Sequence, residues 1–117
     1  MPRTRRRTQT PWQAVCPLDG IERDRGVTAL VHGQAVAIFR TGDDEVYAIG
    51  NHDPVSRTSV LGRGTVGMLE GRPYVASPAH RHRFDLATGS CLDDEHVSVP
   101  AYDVKVADGV VHVGARH

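Results

Sequence analysis

Short runs in which apolar and polar side chains alternate recur along the chain, each closed by glycine or by an acidic turn. In "YDVKVADGVVHVG" (102–114), Val104 and Val106 alternate with Asp103 and Lys105, and Asp108-Gly109 supplies a two-residue turn signal, so the spacing predicts a hairpin. The same logic pairs "GVTALVHG" with "QAVAIFR" around Gly33 and Gln34, and "TVGMLEG" with "RPYVASP" around Glu70 and Gly71. "WQAVCP" (12–17) predicts an opening strand. A turn at Thr41 to Asp44 leads into a strand at Glu45 to Ile49, and "RHRFDLATG" predicts a short strand followed by a turn at Thr88 and Gly89. One stretch, "DPVSRTSVLGRG" (53–64), reads as a helix of about two turns, with candidate caps before it and Gly62 and Gly64 as stop signals. Many short strands with regular turns predict a mainly β fold, a small sandwich or barrel with at most one short helix.

Length narrows this to one domain, since the chain has 117 residues. Aromatic residues make up only 5%, so the core must rest on Val, Ile, Leu and Ala. The formal charge is zero but unevenly spread. "MPRTRRRTQT" carries four Arg and no acid, which leaves ten basic side chains against 14 acidic ones, about −4. Residues 1–10 are therefore expected to be a flexible basic arm on a mildly acidic domain at 11–117. No run approaches the roughly 18 apolar residues of a membrane span, and no signal-peptide core follows the arginines. The expectation is a cytoplasmic chain that binds neither membrane nor nucleic acid. Cys16 and Cys91 stand far apart, outside any metal-ligand motif, and are expected as reduced, buried thiols.

Two stretches carry the candidate chemistry, "GNHDP" (50–54) and "SPAHRHRFDLATG" (77–89). Together they resemble the two loops of the Rieske-type iron–sulfur domain, which uses Cys-x-His in one loop and Cys-x-x-His in the next. By that resemblance Asn51 and Asp53 stand at the first pair of ligand positions, and Ser77 and His80 at the second. A Rieske [2Fe–2S] centre takes two thiolates on one iron and two imidazoles on the other. Asn and Ser oxygens are poor substitutes for thiolates, and only His80 keeps its ligand type.

A longer pattern is similar to the small subunit of the cytoplasmic NAD(P)H-dependent assimilatory nitrite reductases, a family with a Rieske-like fold that lacks the cluster ligands. Its pieces are present in order: Asn51 to Pro54, Val60 to Gly64, Val75 to Pro78, Phe84 to Leu92, and Asp94. The resemblance runs from Trp12 to Val113. "AHRH" departs from it, where members more often carry an apolar or aromatic residue and Lys. The resemblance implies a non-catalytic, auxiliary subunit with no cofactor of its own. It implies a large-subunit partner carrying sirohaem, a 4Fe-4S cluster, FAD and the NAD(P)H site, which reduces nitrite to ammonium in nitrate assimilation. The chain would then be a subunit of an oxidoreductase without a catalytic centre of its own. The alternatives are a Rieske-type ferredoxin-like electron carrier with an atypical metal site, and a free-standing small-molecule binding module.

His80 admits two readings, a surviving ligand or a histidine bonded to Asp53 or Ser77 across the loops, and the second is the expectation. With Asp53 and Asp85, the histidines His52, His80 and His82 form an inventory for a mononuclear metal, but Arg81 and Arg83 beside them disfavour a cation. The basic loop tips are candidates for docking the partner: His52, Arg57, Arg63, Arg81, His82 and Arg83. The acids Asp93 to Glu95 read as a solvated turn. No phosphate loop, dinucleotide motif or Ser-His-Asp order is present.

Overall fold

The structure, a computed structural model, describes residues 11–117; the basic arm expected at 1–10 lies outside the described residues. The eleven strands are β1 (Gln13–Pro17), β2 (Arg25–Val31), β3 (Gln34–Arg40), β4 (Val46–Gly50), β5 (His52–Asp53), β6 (Thr58–Ser59), β7 (Thr65–Leu69), β8 (Arg72–Ala76), β9 (Arg83–Asp85), β10 (Ala101–Ala107) and β11 (Val110–Arg116). They build a six-stranded antiparallel sheet in the order β1-β11-β10-β4-β3-β2, a three-stranded sheet β7-β8-β9, and the two-residue ladder β5-β6.

The three predicted hairpins form, two at the turn residues expected and the first one residue earlier, at His32-Gly33 rather than Gly33-Gln34, with Gln34 already in β3. His32-Gly33, Glu70-Gly71 and Asp108-Gly109 all have positive φ at both positions. This is the type I′ geometry whose twist matches that of the flanking strands. Glycine takes the second position each time because the left-handed region carries no steric penalty for it.

The six-stranded sheet curls until its ends nearly meet. Gln13 on β1 bridges the gap: its amide NH₂ donates to Leu30 O (2.9 Å) and its amide oxygen accepts from His32 N–H (3.2 Å). One side chain thus mimics the bond pair of an antiparallel ladder and closes the barrel edge. Inside pack Ile21, Val31, Val36, Ile38, Ala48, Val111 and Val113. A second core lies between this barrel and the three-stranded sheet, with Phe39, Ile49, Leu61, Val75, Phe84 and Leu86 at its centre. β3 and β4 belong to both cores. Val36 and Ile38 face the barrel interior, while Ala37 and Phe39 face the small lobe. A strand buried on both faces has no polar side, which is why "AVAIF" reads as a continuous apolar run.

The helix expected over 53–64 is absent. The segment forms β5, a turn and β6, and only Leu61–Arg63 makes a single 3-10 turn. The cause is local. The Asp53 carboxylate accepts the Val55 and Ser56 N–H groups, and Arg57 takes φ 62, so the chain reverses instead of winding on. No helix among the described residues is long and apolar enough to cross a membrane.

Candidate functional site

The two loops of the small lobe meet through their side chains. Asp53 ends β5 and Ser77 follows β8; Asp53 is fully buried and Ser77 is 1% exposed. The Ser77 hydroxyl donates to Asp53 Oδ2 at 2.5 Å, across 24 residues of chain. Asp53 Oδ1 accepts Val55 N–H (2.9 Å) and Ser56 N–H (3.4 Å). Ser77 Oγ in turn accepts Ala79 N–H (3.2 Å), and its backbone N–H donates to His82 O (2.8 Å). Burial pushes the Asp53 carboxyl up, but the Ser77 hydroxyl and the two backbone N–H groups outweigh it and hold the group below the ordinary carboxylate range.

Asn51 fixes the other side of the first loop. Its amide oxygen accepts Gly62 N–H at 2.7 Å, its backbone oxygen accepts Leu61 N–H at 3.1 Å, and its own N–H donates to Ala35 O at 3.1 Å. The "LGRG" segment is thereby pinned to the loop. A Cβ on Gly62 would stand 2.6 Å from Thr28 Oγ1 and 3.2 Å from Asn51 Oδ1, so glycine lets the segment approach β2 without displacing either side chain.

His80 takes a different place from the one expected. Asp53 and Ser77 bond each other directly, and His80 lies exposed on the second loop with its ring edge-on to that of His82, centroids 6.4 Å apart. The short serine reaches the carboxylate from inside the loop, so no histidine is needed to bridge. His52 is exposed and its Nδ1 lies 3.4 Å from Ser59 Oγ. Arg57, Arg63 and Arg81 are exposed. His82 and Arg83 are half-buried. Arg83 is committed to Asp93: its backbone N–H and its guanidinium all donate to that carboxylate (2.8 Å for the shortest), and the guanidinium stands 5.6 Å from the centre of the Tyr74 ring. The guanidinium and N–H of Arg83 hold Asp93 below the usual carboxylate range. The acid run is thus partly structural, with Asp93 tying β9 to the 91–96 loop.

Asp85 sits apart from the histidines. It is 1% exposed, pairs with Arg72, and accepts Ala87 and Thr88 N–H at 2.8 and 3.0 Å. Among the described residues no three His, Cys, Asp or Glu side chains converge to hold a metal ion. Cys91 is packed in the lobe core and Cys16 is half-buried on β1; both thiols are free, and burial raises Cys16 above its ordinary pKa.

The donor set does not fit a [2Fe–2S] centre. The Asn51 amide oxygen, the Asp53 carboxylate and the Ser77 hydroxyl are each consumed by protein hydrogen bonds, and none is a thiolate or an imidazole. What the arrangement can do is mechanical and electrostatic. It locks two loops together and presents basic side chains at their tips.

Gln13 and Tyr74 went unremarked in the sequence, and no spacing marks them. The kinship of the two loops was visible: Asp53-Pro54-Val55-Ser56-Arg57 and Ser77-Pro78-Ala79-His80-Arg81 share Pro at the second position and Arg at the fifth.

Comparison with known proteins agrees with this fold. The model of the Rieske-like [2Fe-2S] domain matches residues 11–114. The NADH nitrite reductase small subunit of Salmonella typhimurium is 47% identical over 103 residues, covering 87% of this chain and 95% of that one. The NMR structure of Escherichia coli NirD superposes with a TM-score of 0.83 at 42% identity, covering 91% of this chain and 97% of that one. A nitrite reductase [NAD(P)H] large subunit from Klebsiella oxytoca is 42% identical over 104 residues, which span 89% of this chain but 11% of that one. This chain, matched over most of its length by these relatives and carrying a Rieske-like domain at residues 11–114, belongs to the family of nitrite reductase small subunits.

Proposed function

We propose that this chain is the auxiliary subunit of an NAD(P)H-dependent nitrite reductase and acts by docking on the large subunit, without carrying electrons itself. The observation that carries the reading is the direct Asp53–Ser77 bond at positions where the fold family places iron ligands. Side chains already satisfied by protein donors are poorly placed to bind iron, and a ferredoxin-like role needs a redox group. The same donor chemistry counts against the electron-carrier alternative. Sirohaem, 4Fe-4S, FAD and the NAD(P)H site then belong to the partner, where nitrite becomes ammonium.

A domain similar to this chain also occurs within the Klebsiella oxytoca large-subunit polypeptide, which supports a lasting association of the two parts. The face proposed for docking is the pair of loop tips with Arg63, carrying His52, Arg57, Arg63, Arg81 and His82. Arg83 stands behind it, positioning the second loop through Asp93.

The test is affinity capture of the tagged chain from cells grown on nitrite, read by visible spectrum and iron content. Co-elution of a large chain with sirohaem and flavin absorption, with the isolated small chain colourless and free of iron, is the expected result. Stoichiometric iron in the isolated small chain would overturn the reading.

A further inference from the structure

The small lobe builds one turn three times. In each, a side-chain oxygen accepts the N–H two residues on, and the same residue's carbonyl accepts the N–H four residues on. Asp53 does this for Val55 and Arg57 (2.9 and 2.7 Å), Ser77 for Ala79 and Arg81 (3.2 and 2.8 Å), and Asp85 for Ala87 and Gly89 (both 2.8 Å). The fifth residue lies in the left-handed region every time, at φ 62, 61 and 81. That region penalises any residue with a Cβ and leaves glycine unstrained.

The third turn uses glycine, and a Cβ there would fall 2.0 Å from Val99 O. The first two carry arginine, a long charged side chain at an exposed position. Asp24, His32, Asp44, Glu70 and Asp108 also take positive φ, so the conformation alone marks no site; what sets Arg57 and Arg81 apart is that the same residue type recurs at the same position of two turns joined by the Asp53–Ser77 bond, where the third turn has glycine. Charge pairing points the same way. Arg23, Arg40, Arg72 and Arg83 are each matched by an aspartate, whereas among the described residues no carboxylate lies within ion-pair distance of Arg57, Arg63, Arg81 or Arg116; of these four, Arg57 and Arg81 share the joined turns.

We infer that Arg57 and Arg81 form a two-pronged cationic contact for an acidic patch on the large subunit. The inference rests on the auxiliary-subunit reading and adds the chemistry of the surface that the loops meet. Carboxylates fit because the planar guanidinium binds them bidentately. The Asp53–Ser77 bond sets the spacing of the prongs, because each arginine's N–H is bonded to the carbonyl of one partner in that bond.

The experiment compares the wild-type chain, R57G/R81G and R57K/R81K for binding to the purified large subunit. Association rates are measured at about 50 mM and about 500 mM salt, and thermal midpoints on the isolated chains. R57G/R81G should associate about 10-fold more slowly at low salt and approach the wild-type rate at high salt. R57K/R81K should keep most of the rate. The midpoint of R57G/R81G should be no lower than that of wild type, because glycine relieves the backbone. Wild-type rate and salt dependence in R57G/R81G would overturn the two-pronged contact while leaving the auxiliary reading intact. A lower midpoint would overturn the strain argument. Failure of the wild-type chain to bind at all would overturn both readings together.

Discussion

Replacing Asp53 with alanine removes the acceptor that joins the two loops. The carboxylate is fully buried and receives the Ser77 hydroxyl at 2.5 Å and the Val55 N–H at 2.9 Å, while the Ser56 N–H at 3.4 Å is a marginal contact. A hydrogen bond to a charged group contributes about 1.5–3 kcal/mol and one more bond about 1 kcal/mol. Loss of the carboxylate also relieves its desolvation, so the net loss is about 3 kcal/mol. For a domain of about 100 residues each kcal/mol moves the midpoint by about 4–8 °C, so Asp53→Ala should melt at least about 12 °C below wild type. The assay is far-UV circular dichroism on the isolated chain, with Ser77→Ala and the double variant alongside. A double-mutant cycle should return a coupling of at least about 1 kcal/mol between the two side chains. A fall under about 4 °C with coupling within about 0.5 kcal/mol of zero would refute the clasp.

Acidity offers a second approach to the same bond. The folded-state pKa of Asp53 is depressed, so its contribution is complete above the unfolded value of about 3.9 and is lost as pH falls through the lower folded value. Asp53→Asn should therefore show a flatter loss of stability below about pH 4 than wild type in acid titrations followed by circular dichroism. Gly89→Ala places a Cβ 2.0 Å from Val99 O at φ 81, and should lose about 3 kcal/mol or more in urea denaturation. Gln13→Ala breaks both bonds across the barrel edge; stability should fall by about 1 kcal/mol, and hydrogen exchange at the His32 amide should accelerate.

The parts of the fold that were legible in the sequence are those fixed by neighbours in the chain. Glu70-Gly71 and Asp108-Gly109 each choose their turn from two residues, and the hairpins follow; the first hairpin was legible too, but its turn falls at His32-Gly33, one residue before the Gly33-Gln34 pair read from the sequence. The two loop stretches at 50–54 and 77–89 were legible for the same reason, since their spacing is local to each loop. The pairing across loops was not. Asp53 could have met His80 or Ser77, and the choice depends on how deeply each side chain sits, which the sequence does not encode locally. The helix expected over 53–64 does not form because a residue that could cap a helix, Asp53, opens a tight turn instead. Its carboxylate does accept nearby N–H groups, but Arg57 at φ 62 turns the chain back into β6. Gln13 was invisible because its partners, Leu30 and His32, lie on a strand that only the closed barrel brings alongside.

The wall formed by β3 and β4 has a consequence for binding. Val36 to Phe39 give their side chains alternately to the barrel and to the small lobe, so the lobe packs its core against the barrel wall and loosening it would uncover Ala37 and Phe39. Its loops are held by a surface that is packed from both sides before any partner arrives. A contact made by such loops loses little conformational freedom on association, so weak charge pairs can supply net affinity that mobile loops would forfeit. Preorganisation of the loop end is thus a property of the barrel as much as of the loops.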